Sequence, residues 1–156
     1  MPSARELVRV LAPGAPFSIA AFDDMALNTL MATIAQVLAA HVPVDALPDF
    51  DYLTQLAAPG LREVVLRESG FVDLHSELFR WSVPLPSFDV VWQVANAPTP
   101  FAGAFAVLTP ADVEAVRREL QEAVQPYRSA GGGASFEYPM ACRLFWGRTG
   151  CQPASL

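Results

Sequence analysis

The chain has 156 residues, of which 53% are hydrophobic and 17% charged, enough apolar material for a real core. Its net charge of −6 excludes a nucleic-acid binder, which wants a basic face. All of its 10 basic residues are arginine, so Schiff-base lysines and a Walker-type phosphate lysine are excluded as well.

Other classes fall away for local reasons. No apolar run reaches the roughly 20 residues of a membrane span. The richest stretch is broken by Asn28, Thr29, Thr33 and Gln36. Arg5, Glu6 and Arg9 near the amino terminus do not suit a signal peptide. Two cysteines, Cys142 and Cys151, make no disulfide framework. The expected location is therefore the cytoplasm, with no membrane partner.

In chain order, residues 4–11 read as the end of a helix with Leu7, Val8 and Leu11 on one face, stopped by Ala12-Pro13-Gly14. Pro16–Phe22 reads as a strand. Phe17, Ile19 and Ala21 point one way and Ser18, Ala20 and Phe22 the other, both faces apolar enough to expect cover on both sides. After Asp23-Asp24, residues 25–41 read as one helix with Leu27, Leu30, Met31, Ile34, Val37, Leu38 and His41 in its apolar stripe. A loop through Pro43 and Pro48 follows.

Residues 61–69 predict a short helix burying Leu61, Val64 and Val65, closed by Gly70 with Phe71 behind it. Residues 71–81 alternate Val72, Leu74 and Leu78 with Asp73, His75 and Glu77, a strand with one wet face suited to a sheet edge. Ser87 caps a helix carrying Phe88, Val91, Trp92 and Ala95. Pro98 and Pro100 interrupt it, and residues 101–107 are a short apolar segment. Thr109-Pro110-Ala111-Asp112 starts a helix with Val113, Val116, Leu120 and Val124 inward and Glu114, Arg117, Arg118, Glu119 and Glu122 in water. Pro126 and Gly131-Gly132-Gly133 end it, and residues 136–148 form the last strand. Residues 1–149 read as a single domain and 150–156 as a loose tail.

Three segments carry a resemblance. Arg9-Val10-Leu11-Ala12-Pro13-Gly14 resembles the "RVLxPGG" turn before the fifth strand of class I, Rossmann-like methyltransferases dependent on S-adenosylmethionine, with Ala15 in place of the second glycine. Leu66-Arg67-Glu68-Ser69-Gly70-Phe71 is similar to the family's "LxxxGF" before the sixth strand, and Gly147-Arg148 to the end of its closing strand. The resemblance implies an α/β fold: the part of the sheet made by strands 5, 7 and 6, with flanking helices, from a family order 3-2-1-4-5-7-6 whose seventh strand is antiparallel. It also implies S-adenosylmethionine as the cofactor of the intact enzyme. This chain departs from the family in lacking the G-x-G-x-G loop, the ribose-binding acid and strands one to four, so it is expected to bind no cofactor alone. Gly131 to Gly133 lie between a helix and a strand, the wrong order for a phosphate cradle.

No catalytic residue, cofactor ligand or metal ligand is assigned; His41 and His75 lack partners at metal spacing. For a substrate pocket the candidates are Phe22 and Asp23 at the strand end, where open α/β sheets place ligands, and Trp92, Phe101 and Phe105 as apolar walls, with Trp81 beside them. Each has a plainer reading: Asp23 and Asp24 as helix caps, Phe22 and the other aromatics as core. Cys142, alternating with Met140 and Leu144, reads as a buried thiol.

Three functions follow as expectations. The first is a fragment or truncated form of such a methyltransferase, acting on a small apolar substrate and inactive alone. The second is a non-catalytic dimerising or partner-binding module on the same half-fold. The third is an unrelated α+β protein that binds an apolar ligand. In the first two the Pro16–Phe22 edge needs cover, from a second copy, from another chain such as the missing amino-terminal half, or from a rearranged segment of its own.

Overall fold

In the computed structural model, residues 2–49, 60–97, 100–131 and 133–150 are described. They form a mixed helix-and-strand structure with one three-stranded sheet in the order β1-β3-β2. The strands are β1 (Pro16–Phe22), β2 (Phe71–Leu85) and β3 (Phe136–Thr149). Contacts divide the chain into two compact units, the first drawn from the described residues within 1–24, 51–79 and 141–156, the second from those within 25–50 and 80–140.

In the first unit, α1 (Pro2–Val10) and α3 (Leu61–Glu68) join the strands around Ala4, Val8, Leu66, Phe71 and Phe145. Two expected faces are corrected. Leu7 is 36% exposed, and the buried stripe of α1 is Ala4 and Val8, one turn apart. In α3, Leu61 and Val64 are exposed, whereas Arg62 and Leu66 are buried. The helix is rotated because the Arg62 guanidinium finds an acceptor inside: its Nη2 donates to the Phe22 carbonyl at 2.6 Å.

β1 has the expected boundaries and pairs antiparallel with β3, from Pro16 opposite Arg148 to Phe22 opposite Cys142. Only one of its faces is covered. Phe17, Ile19 and Ala21 are half-buried, while Pro16, Ser18, Ala20 and Phe22 are exposed. The expectation of cover on both sides is therefore overturned: β1 is an edge strand whose outer face carries the small Ser18 and Ala20 in water and ends on the exposed Phe22.

Gly147, in the central strand β3, is demanded by crowding. A Cβ there would lie 2.6 Å from the Val72 carbonyl oxygen, 2.9 Å from that of Asp73 and 3.1 Å from the Phe17 ring. Asp73 has φ +50°, unusual for a residue with a side chain. This local kink breaks the alternation read from the sequence, leaving Val72 exposed while Leu74 packs on the core cluster. Thr149 ties β3 to the Pro13-Gly14 turn: its hydroxyl accepts from the Ala15 N–H at 3.0 Å and donates to the Ala12 carbonyl at 2.7 Å. Gly150, expected to start a loose tail, donates to the Gly70 carbonyl at 2.8 Å. Cys151 and the remainder of that tail lie outside the described residues, as do Pro98 and Gly132.

In the second unit, α2 (Thr29–Leu38), α4 (Phe88–Asn96), α5 (Ala102–Ala106) and α6 (Pro110–Ala123) surround Leu30, Ile34, Leu38, Val91, Phe101, Val116 and Leu120. The 25–41 helix proves shorter than expected. A 3-10 turn, Met25–Leu27, leads to Asn28 at the N-cap, and the helix proper ends at Leu38. Asn28 leaves the helical conformation at φ −118°, ψ 63° and makes no side-chain cap bond, so the backbone turn and not a capping side chain starts the helix. Both expected start signals hold. The Ser87 hydroxyl accepts from Val90 N–H at 3.4 Å, and Thr109 and Asp112 form a reciprocal capping box. Strand β2 continues past Trp81 to Leu85, whose side chain is buried in this core, with Pro84 tolerated because β2 is an edge strand.

Candidate functional site

The densest set of buried charge lies where β1 ends. Asp23 is 7% exposed, and its carboxylate accepts from Arg143 Nε at 2.8 Å and from the Asp24 N–H at 2.8 Å. The neighbouring carbonyl, Phe22, holds Arg62. Arg62 is 8% exposed, and its Nη1 is buried with no hydrogen-bond partner. Burial lowers the Arg62 pKa from its ordinary value; Asp23 opposes this and Arg143 adds to it. Two guanidinium groups are thus docked on consecutive residues, with one buried carboxylate between two charges to serve.

This arrangement corrects the cap reading of Asp23, which is an ion-pair partner of Arg143. Phe22 is 57% exposed, so its core reading fails too. Position at a strand end was the signal for Asp23. Nothing in the local pattern distinguished Arg62 from the other surface-type arginines, because its acceptor lies 40 residues away.

The other three pocket candidates fall in the second unit. Trp92 and Phe105 meet edge-to-face, with ring centroids 5.7 Å apart, half-buried against the core. Phe101 is fully buried within it. Trp81 is 41% exposed. An open depression of about 340 Å³ in the same unit is lined instead by Ser87, Phe88, Asp89, Arg117, Arg128 and neighbours. Arg117 is not simply solvated: it bonds Asp89 at 2.8 Å and lies over the Phe88 and Trp92 rings. One of the depression's two cations, Arg117, is thus already engaged, and Arg128 is the other on its lining.

The histidines have ordinary partners. His41 Nε2 lies 2.9 Å from Glu119 Oε2, and His75 stacks on Trp146. Cys142 is half-buried, less sheltered than its strand position suggested. Among the described residues no group of three or more histidine, cysteine, aspartate or glutamate side chains could hold a metal ion. No helix among them is long and apolar enough to cross a membrane.

No family model matches the chain, and no curated protein does. The site must therefore be judged on its geometry. Its geometry is that of electrostatic anchoring: two guanidiniums held by one carboxylate and one carbonyl, with the half-buried Cys142 thiol next to Arg143 on β3.

Proposed function

We propose that these 156 residues act as the carboxy-terminal half of a Rossmann-like methyltransferase fold, contributing structure and substrate contacts while the cofactor is held elsewhere. One observation carries the reading: the order β1-β3-β2, with β3 antiparallel to β1. That is the order 5-7-6 implied by the resemblance, with the reversed strand in the middle. The turn residues of the resemblance also have physical work in support of it: Gly14 has φ +74°, and Gly147 sits where a side chain would collide with β2.

The described residues do not fit S-adenosylmethionine. A cradle needs a strand, a glycine-rich loop and a helix N-terminus in that order. Gly131 and Gly133 run instead from a 3-10 turn into β3. Under this proposal the free edge of β1 is completed by strands outside these residues, on the same or another polypeptide, and the acceptor is a small, largely apolar molecule.

A second reading, a non-catalytic association module with a second copy as partner, is favoured by the exposed Phe22 on the edge strand. Two measurements test both. Calorimetry with S-adenosylmethionine is expected to show no heat of binding with this chain alone; tight binding would overturn the division of labour. Sedimentation equilibrium is expected to give a mass above the 16.8 kDa of one chain. A monodisperse monomer across the concentration range would remove the association reading.

A further inference from the structure

We infer that Arg62 and Arg143, at the end of β1, form a binding site for a small monocarboxylate. The case rests on donors and charge, and stands whether or not the methyltransferase reading does.

Arg62 spends Nη2 on the Phe22 carbonyl at 2.6 Å, while Nη1 is buried without a partner. A guanidinium offers five donors in a rigid fork, and a buried one left unmade is costly. Asp23 does not serve Nη1. One of its oxygens accepts from Arg143 Nε and the other from the Asp24 N–H, each at 2.8 Å. Glu63, the next acid by influence on Arg62, accepts from the Ser76 hydroxyl at 2.7 Å and is half-exposed.

The charge count selects the ligand. Two guanidiniums face one buried carboxylate, Asp23, while Glu63 acts on Arg62 from a half-exposed position, so only part of the positive charge is left unbalanced. A monoanion neutralises it, whereas a dianion such as phosphate would place surplus negative charge beside Asp23. A planar carboxylate also matches the guanidinium fork with two parallel hydrogen bonds. Arg143, whose side chain is 28% exposed against 7% for Asp23, is the side from which the ligand enters.

The test uses sodium acetate as the probe, titrated at constant ionic strength against chloride, with the arginine Nε–H signals followed by NMR. A saturable shift of the Arg62 and Arg143 signals is expected, with phosphate binding more weakly. Arg62→Met should weaken acetate binding at least tenfold with an unchanged circular dichroism spectrum. Should that variant fail to fold, Arg143→Gln, at the more exposed position, is expected to show the same loss. Several results would overturn the proposal: no shift at Arg62, a linear unsaturable response, acetate binding by the variants as tight as by the wild type, or phosphate binding tighter than acetate.

Discussion

At the scale of single residues, the decisive positions are those where a backbone group has nowhere else to go. Thr149 is 2% exposed and satisfies both the Ala15 N–H and the Ala12 carbonyl. Thr149→Val keeps the shape and removes both bonds. Leaving those groups unpaired should cost about 1–3 kcal/mol, read as a lower urea midpoint with the slope unchanged. Gly147 fails differently. Gly147→Ala would press a methyl into two carbonyl oxygens of β2, at 2.6 and 2.9 Å, so the strands must separate. We expect a loss of about 1–3 kcal/mol, the range for overpacking, measured in the same unfolding experiment. Val72 and Asp73 should also show shifted amide resonances, since their carbonyls are the atoms displaced.

At the scale of elements, local signals and long-range ones part company. The start of α6 is written in four residues, Thr109 to Asp112, and the structure realises it with bonds between the two side chains and backbones. These bonds hold the Asp112 pKa below its ordinary value of 3.8. The folded form therefore binds its proton less readily than the unfolded form. The capping contribution is complete above the unfolded value and is lost as pH falls through the folded one. Asp112→Asn should lower the melting temperature at neutral pH, and the gap to wild type should narrow as the pH falls below 3.8. An unchanged gap would show that the carboxylate charge is irrelevant to the cap. By contrast, of the expected inward face of α3, Leu61 and Val64 are exposed and only Val65 is half-buried. Residue type suggested that Arg62 faces water, and only the Phe22 carbonyl explains its burial. Helix 25–41 was overextended because an apolar stripe does not reveal that Asn28 begins a new helix.

At the scale of the whole molecule, the open side of β1 is the feature with the widest consequence. It pairs with β3 alone, so alternate amides of Pro16–Phe22 face away from any strand among the described residues. Hydrogen exchange should show protection alternating along β1 at low concentration. It should become continuous when a second copy or a completing set of strands covers the edge. Uniform protection in a dilute monomer would mean that the edge is already closed.

The sequence by itself determined the existence and type of the elements whose signals are local. These are the β1 boundaries, the capped starts of α4 and α6, the glycine closing α3, and the edge character of β2. Periodicity, caps and turn residues act within a few positions, so they can be read without knowing the partner. Only the tertiary structure decided that Arg62 turns inward, that Asp23 pairs with Arg143, that Phe22 stays exposed and that Phe101 is core. Those outcomes depend on which acceptor or apolar surface arrives from 40 to 120 residues away, and burial of a charge is favourable only once that acceptor is in place.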